Sequence, residues 1–133
     1  MKKEVSLSLK CPNCSQSLMD EQHTICDKPS VKLNVETEHE RGVLRLCCIY
    51  GNCSKTTDID IKEQEIVDMY CPHCNQELSI KENCEICGAP LVAFFIKAGG
   101  TVRICSRNGC TNHAIVFKDV TEEMSKFYYE YGF

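Results

Sequence analysis

Cys11-Pro12-Asn13-Cys14 returns about 60 residues later as Cys71-Pro72-His73-Cys74. This repeated knuckle limits the fold more than any other feature of the chain. Two thiols separated by two residues in a tight turn present both sulfurs to one point, which is half of a tetrahedral zinc site. Further pairs follow the same logic. Cys84-Glu85-Ile86-Cys87 precedes Gly88-Ala89-Pro90, Cys105 and Cys110 bound a Cys-x4-Cys knuckle, and Cys48 and Cys53 bound another. The 12 cysteines among 133 residues far exceed ordinary usage. A short chain of this kind is either a secreted disulfide scaffold or a metal protein. Met1-Lys2-Lys3-Glu4 lacks the continuous apolar stretch of a secretory signal, and no run approaches the roughly 20 apolar residues of a membrane span. The expectation is a cytoplasmic protein with reduced thiols, a bound metal and no membrane segment.

The repetition extends beyond the knuckles. Leu18 follows Cys14 as Leu78 follows Cys74, and Pro29 follows Cys26 as Pro90 follows Cys87. Leu44-Arg45-Leu46-Cys47 matches Val102-Arg103-Ile104-Cys105, and residues 58–62 match 114–118. The order is kept throughout, so the chain reads as two copies of one unit, residues 1–66 and 67–133. His23-Thr24-Ile25-Cys26 stands opposite Cys84-Glu85-Ile86-Cys87, which makes His23 a candidate ligand in place of a thiolate. Cys47 and Cys48 compete for one position. Strand register favours Cys47, whereas knuckle spacing favours Cys48, toward which the reading leans.

Apolar alternation marks the strands. Val5, Leu7 and Leu9 lead into the first knuckle, and Val31, Leu33 and Val35 run out to a polar stretch that returns through residues 43–46. In the second unit residues 91–97 run out, Gly99-Gly100 turn, and residues 101–104 return. Ile59 with Ile61, and Ile115 with Phe117, suggest third strands. At the end of the chain, Met124, Phe127, Tyr128 and Tyr131 fall on one helical face, with Thr121 as a cap and Gly132 as a stop. The expected fold is small, all-β and metal-stabilised: tandem zinc β-ribbons with a short C-terminal helix.

Two tilings of ligands are open. In the favoured one, each hairpin closes its own site, from Cys84, Cys87, Cys105 and Cys110 in one unit and His23, Cys26, Cys48 (or Cys47) and Cys53 in the other. Cys11, Cys14, Cys71 and Cys74 then share a third metal between the units. In the rival tiling each unit pairs its first two knuckles, and Cys48/Cys53 share a metal with Cys105/Cys110. His113 is a further candidate, read mainly as a bystander. Both tilings imply about three zinc ions by the rule of four ligands per structural site, with iron as the alternative. The formal charge is −4 with neutral thiols. A four-thiolate zinc site adds about −2 and a three-thiolate, one-imidazole site about −1, so three filled sites bring the chain to about −9.

Cys84-x2-Cys87-Gly88-x-Pro90-Leu91-Val92, followed by Cys105-Ser106-x3-Cys110, resembles the C-terminal zinc ribbons of bacterial type I DNA topoisomerases. The stretch from Cys71 to Gly88 resembles the double zinc-ribbon modules of many bacterial proteins, and the knuckles loosely resemble rubredoxin, which holds iron. These resemblances imply zinc ribbons, and the first also implies single-stranded DNA binding. The strands here carry few Lys or Arg, unlike the topoisomerase ribbons. A non-catalytic adaptor for a protein partner is therefore the leading expectation, suited to a basic partner by the acidic balance. Nucleic-acid binding through Arg103, Arg107 and Lys118 is the second expectation, with Arg107-Asn108-Gly109 the best exposed contact. Iron-based electron transfer or a zinc–thiolate redox switch is the third. No Ser/His/Asp set, P-loop or His-x-Glu motif points to an enzyme.

Overall fold

A computed structural model describes residues 6–50, 52 and 54–110, together with the backbone of 113–116. The described residues form strands and turns with no helix, so this part of the protein is all-β. The expected C-terminal helix lies outside them. The first unit contains β1 (Leu9–Lys10), β2 (Met19–Ile25), β3 (Lys28–Glu36), β4 (Arg41–Leu46) and β5 (Lys55–Thr57). The second contains β6 (Asp68–Tyr70), β7 (Ser79–Asn83), β8 (Pro90–Ile96), β9 (Thr101–Cys105) and β10 (His113–Val116).

Two five-stranded antiparallel sheets result, and each borrows a strand from the other unit. One sheet runs β2-β3-β4-β5, with β6 also paired to β3. The other runs β1-β8-β9-β10, with β7 also paired to β8. β3 is long enough to take two partners end to end: β2 lies along Lys28–Val31 and β6 along Asn34–Glu36. β8 does the same, with Pro90 and Val92 paired to β7, and Phe95 and Ile96 paired to β1. The two leading strands are thus exchanged. Each is followed at once by its Cys-x2-Cys knuckle, after which the chain crosses into its own unit's sheet.

The alternation on β3 buries Val31, Leu33 and Val35, and the matching positions on β8 bury Val92, Phe94 and Ile96. With Leu7, Leu9, Leu18, Leu44, Val67, Met69, Leu78 and Val102 they form one core that draws on both units. Burying these side chains removes apolar surface from water, which stabilises by about 1.5–3 kcal/mol for a fully buried Leu or Phe. A smaller cluster of Cys84, Ala89 and Cys105, with Leu91 against it, sits apart around the second hairpin.

The hairpin turns differ between the copies. In the second unit the β7–β8 connection is the full knuckle Cys84–Cys87, closed by Gly88 at φ 79°. In the first, β2 and β3 meet through Cys26 (φ 54°) and Asp27 (φ 62°), a two-residue left-handed turn of the kind that matches strand twist. The third strand of the first unit also departs from expectation. It is the exposed Lys55–Thr57, and Ile59 and Ile61 follow it, packing against the core from the connection between the units. Thr57 pairs with Leu44 and Ile115 with Val102, so the repeat is offset there by two residues from the sequence alignment.

Candidate metal centres

The strand exchange brings the two matching Cys-Pro-x-Cys knuckles face to face. Cys11, Cys14, Cys71 and Cys74 have their sulfurs within 4.8 Å of one another. Cys11 Sγ lies 3.7 Å from Cys74 Sγ, and Cys14 Sγ lies 3.7 Å from Cys71 Sγ. With zinc–sulfur bonds of about 2.3 Å, a tetrahedral ion holds its sulfurs about 3.8 Å apart. The donor set and its spacing therefore fit zinc or another ion that accepts four thiolates. The local backbone explains the aim of the sulfurs. Cys11 Sγ accepts the Asn13 N–H at 3.3 Å, and Cys71 Sγ accepts the His73 N–H at 3.3 Å. The Ser15 and Asn75 amides donate to the Cys11 and Cys71 carbonyls at 2.9 Å. Closing the knuckle this tightly puts Ser15 and Asn75 at φ 61°, where glycine is the ordinary choice. The His73 ring is committed elsewhere, its Nε2 lying 3.0 Å from the Ser17 carbonyl oxygen across the knuckle pair.

The second tetrad is Cys84, Cys87, Cys105 and Cys110. Cys84 Sγ and Cys110 Sγ are 3.8 Å apart, and Cys87 Sγ and Cys105 Sγ are 3.3 Å apart. Antiparallel pairing of β8 with β9 makes this site, since Leu91 opposite Cys105 fixes where the outgoing and returning strands end. Ile86 N–H donates to Cys84 Sγ and Arg107 N–H to Cys105 Sγ, each at 3.4 Å. Two tetrads of the favoured tiling are thus assembled among the described residues, and the rival pairings are not.

Electrostatics show why such groups need a cation. Burial, reinforced by the neighbouring thiols, pushes Cys71 up to about 12. Burial likewise pushes Cys105 up to about 12, with Cys87, Cys110 and Cys84 adding to it. For Cys11 burial acts upward, but N–H donors from Cys14 and Asn13 and the facing thiols outweigh it and lower its pKa. Cys87 is lowered first by the Ala89 N–H and then by Cys105. Four adjacent sulfurs cannot all ionise in isolation; a divalent ion removes the conflict.

The first hairpin presents a different picture. Cys47 and Cys48 are both buried and Cys26 is exposed, while Cys53 lies outside the described residues. Leu7 N–H donates to the Cys48 carbonyl as Val67 N–H does to that of Ser106, so Cys48 corresponds to Ser106 and Cys47 to Cys105. Cys48 joins the main core, whereas the thiol of Cys47 interacts with that of Cys26. The backbone register thus aligns Cys47 with Cys105, and neither Cys47 nor Cys48 belongs to a tetrad among the described residues. His23 is in neither tetrad. Its ring is 57% exposed, with Nδ1 2.9 Å from Asp20 Oδ2, a carboxylate that also receives Arg45 Nε at 3.3 Å. The two-residue turn keeps His23 within β2 instead of turning it into a knuckle. In place of about three ion sites, the described residues assemble two. The side chain of His113 lies outside the described residues, as does Lys118.

Arg103 and Arg107 are engaged internally. Arg103 pairs with Glu82. Arg107 donates to the Gln64 carbonyl at 3.0 Å and the Cys87 carbonyl at 3.5 Å. Asn108 exchanges backbone hydrogen bonds with Gln64 and Glu65, so the connection between the units lies against this knuckle tip. The tip that sequence marks as an open basic contact is thus braced by the chain itself. Among the described residues no helix is long and apolar enough to cross a membrane.

Two cysteine tetrads close enough to hold metal ions are consistent with zinc-ribbon-like modules and with a metal-binding role. Comparison with known protein families, with curated proteins and with solved structures finds no match to this chain.

Proposed function

We propose that zinc fills both tetrads and that the protein is a non-catalytic recognition scaffold for a basic protein partner. The observation that carries this reading is that each tetrad supplies four thiolates from rigid knuckles. Such a set fills every position of a tetrahedral ion, whereas catalytic zinc keeps one position open for water or substrate. Filling both sites takes the formal charge of −4 to about −8. Acidic side chains also gather on the first sheet, where Glu36 and Asp68 are cross-strand partners and Glu77 adds to the repulsion. Positive charge brought by a partner would relieve that repulsion, and long-range attraction would speed the encounter. The internal engagement of Arg103 and Arg107 weighs against a nucleic-acid groove, which needs free basic side chains along a stripe.

The test uses the full chain as purified. Elemental analysis should find two zinc ions per chain, and visible absorbance of an anaerobic preparation should be blank. Affinity capture at low salt should retain basic proteins that elute at high salt and are not retained by chelator-treated protein. An iron chromophore would overturn the zinc assignment. Binding of labelled oligothymidylate at low salt, without retention of basic proteins, would overturn the adaptor reading.

A further inference from the structure

We propose that Cys26 and Cys47 form a hydroperoxide-reactive dithiol, placed where the second unit holds its metal. The hydrogen-bond register makes the correspondence. Cys47 takes the place of Cys105 through the matched bonds from Leu7 to Cys48 and from Val67 to Ser106. Cys26 takes the place of Cys87, each standing three residues before the proline at the start of the outgoing strand, Pro29 or Pro90. In the second unit the sulfurs at these two positions lie 3.3 Å apart. In the first, the side chains of Cys26 and Cys47 still interact. Among the described residues neither thiol belongs to a group of three or more metal-ligating side chains. The first hairpin is one residue shorter, its turn is made by Cys26 and Asp27 themselves, and no thiol stands where Cys84 stands. His23 is turned aside by Asp20. A pair of thiols lacking a complete ligand set is left unprotected by metal, unlike the eight in the tetrads.

Access and polarity are divided between the two. Cys26 is exposed and its sulfur accepts the Asn52 side-chain N–H at 3.6 Å. Cys47 is buried beside it. The exposed sulfur is thus the one a hydroperoxide meets, and the buried one the resolving thiol. The Cys26 thiolate attacks one peroxide oxygen, the O–O bond breaks, and the leaving alkoxide or hydroxide takes up a proton. Cys26 is then a sulfenic acid. The Cys47 sulfur attacks the Cys26 sulfur, the S–O bond breaks, and the departing hydroxide leaves as water with the Cys47 proton. Two thiols and one hydroperoxide become one disulfide, one alcohol (or water) and one water. The inference depends on metal in the tetrads only for the order in which thiols react.

The experiment treats the full, zinc-loaded chain with one equivalent of hydrogen peroxide, blocks the remaining thiols and maps the peptides by mass spectrometry. The expected first product is a Cys26–Cys47 disulfide, with zinc content unchanged and the pair restored by dithiothreitol. Cys47→Ser should stop at a sulfenic acid on Cys26, trapped by a cyclic 1,3-dione, and Cys26→Ser should abolish the reaction. Unchanged zinc content in both variants reports that each is folded. A disulfide from Cys26 to Cys48 or Cys53, oxidation of the tetrads with zinc release before this pair reacts, or a third metal ion held by Cys26 and Cys47 would each overturn the proposal. If zinc is absent from the tetrads altogether, the zinc assignment fails while the Cys26–Cys47 product still tests the dithiol.

Discussion

At Ser15 and Asn75 the backbone takes the left-handed conformation that a closed knuckle demands, and neither residue is glycine. A side chain there costs about 1–2 kcal/mol, less for Asn, whose short amide tolerates the region. Ser15→Gly is therefore expected to stabilise the zinc-loaded protein by about 0.5–1 kcal/mol after the entropy of glycine is offset. Thermal melting at fixed free zinc reads the gain, and Asn75→Gly should give less. Asp68 illustrates a second residue-level effect. Loss of hydration, then Glu77 and Glu36, raises its pKa, so the folded chain holds this proton more tightly than the unfolded chain. Its contribution is full below the ordinary carboxylate range near pH 4 and is lost as pH rises through the raised value. Asp68→Asn should accordingly stabilise the protein at neutral pH by a few tenths of a kcal/mol, with the advantage fading on acidification. Denaturant midpoints measured across pH would show a constant offset if the carboxylate were indifferent. Cysteine identity was legible at this scale wherever a knuckle repeats. Cys47 was harder to place, because the two spacing rules disagree and only the backbone bond from Leu7 decides between them.

At the scale of elements, the hairpins β3–β4 and β8–β9 were legible from alternation and from Gly99-Gly100, since a half-buried strand leaves a period of two in its sequence. The hairpin β2–β3 was not. His23-Thr24-Ile25-Cys26 has the spacing of a knuckle, but Asp27 joins Cys26 in the left-handed region and makes the shorter turn instead. The third strand was displaced for a related reason: the apolar pair Ile59 and Ile61 belongs to the connection that packs against the core, and the strand before it is polar and exposed. Gly42 marks how closely that connection passes. A Cβ there would overlap the Asp58 carboxylate and come within 2.5 Å of Ile59 Cγ2. Asp58 Oδ1 accepts the Val43 N–H at 2.8 Å, and an added methyl would force it away. Gly42→Ala is expected to destabilise by about 1–3 kcal/mol through this crowding and the lost hydrogen bond. Pairing it with Asp58→Ala should recover part of the loss; strictly additive costs in chemical denaturation would count against the contact.

For the molecule as a whole, the repeat of motifs was plain in the sequence, and the exchange of leading strands was hidden. β1 and β6 carry the same pattern into the same knuckle, so periodicity alone cannot assign either to its own sheet or to the other. The first tetrad draws two sulfurs from each unit, and the core around it is shared. Metal binding to a site absent from the unfolded chain is folding energy, on the order of 10 kcal/mol for a small zinc domain. If the tetrad binds metal as proposed, Cys74→Ser should therefore lower the metal content by one ion and loosen both sheets together. Hydrogen exchange should report lost protection on β3 and β8 alike, and a β3 that stays protected while β8 opens would argue for independent units.

The interlaced leading strands also change what a broken main chain would mean. A protease nick near Asp60, in the connector, would sever the covalent link yet leave each fragment contributing a strand to its sister's sheet and two sulfurs to the common tetrad. With metal bound there, the nicked pieces should co-elute as one particle from a sizing column and part only when a chelator is added.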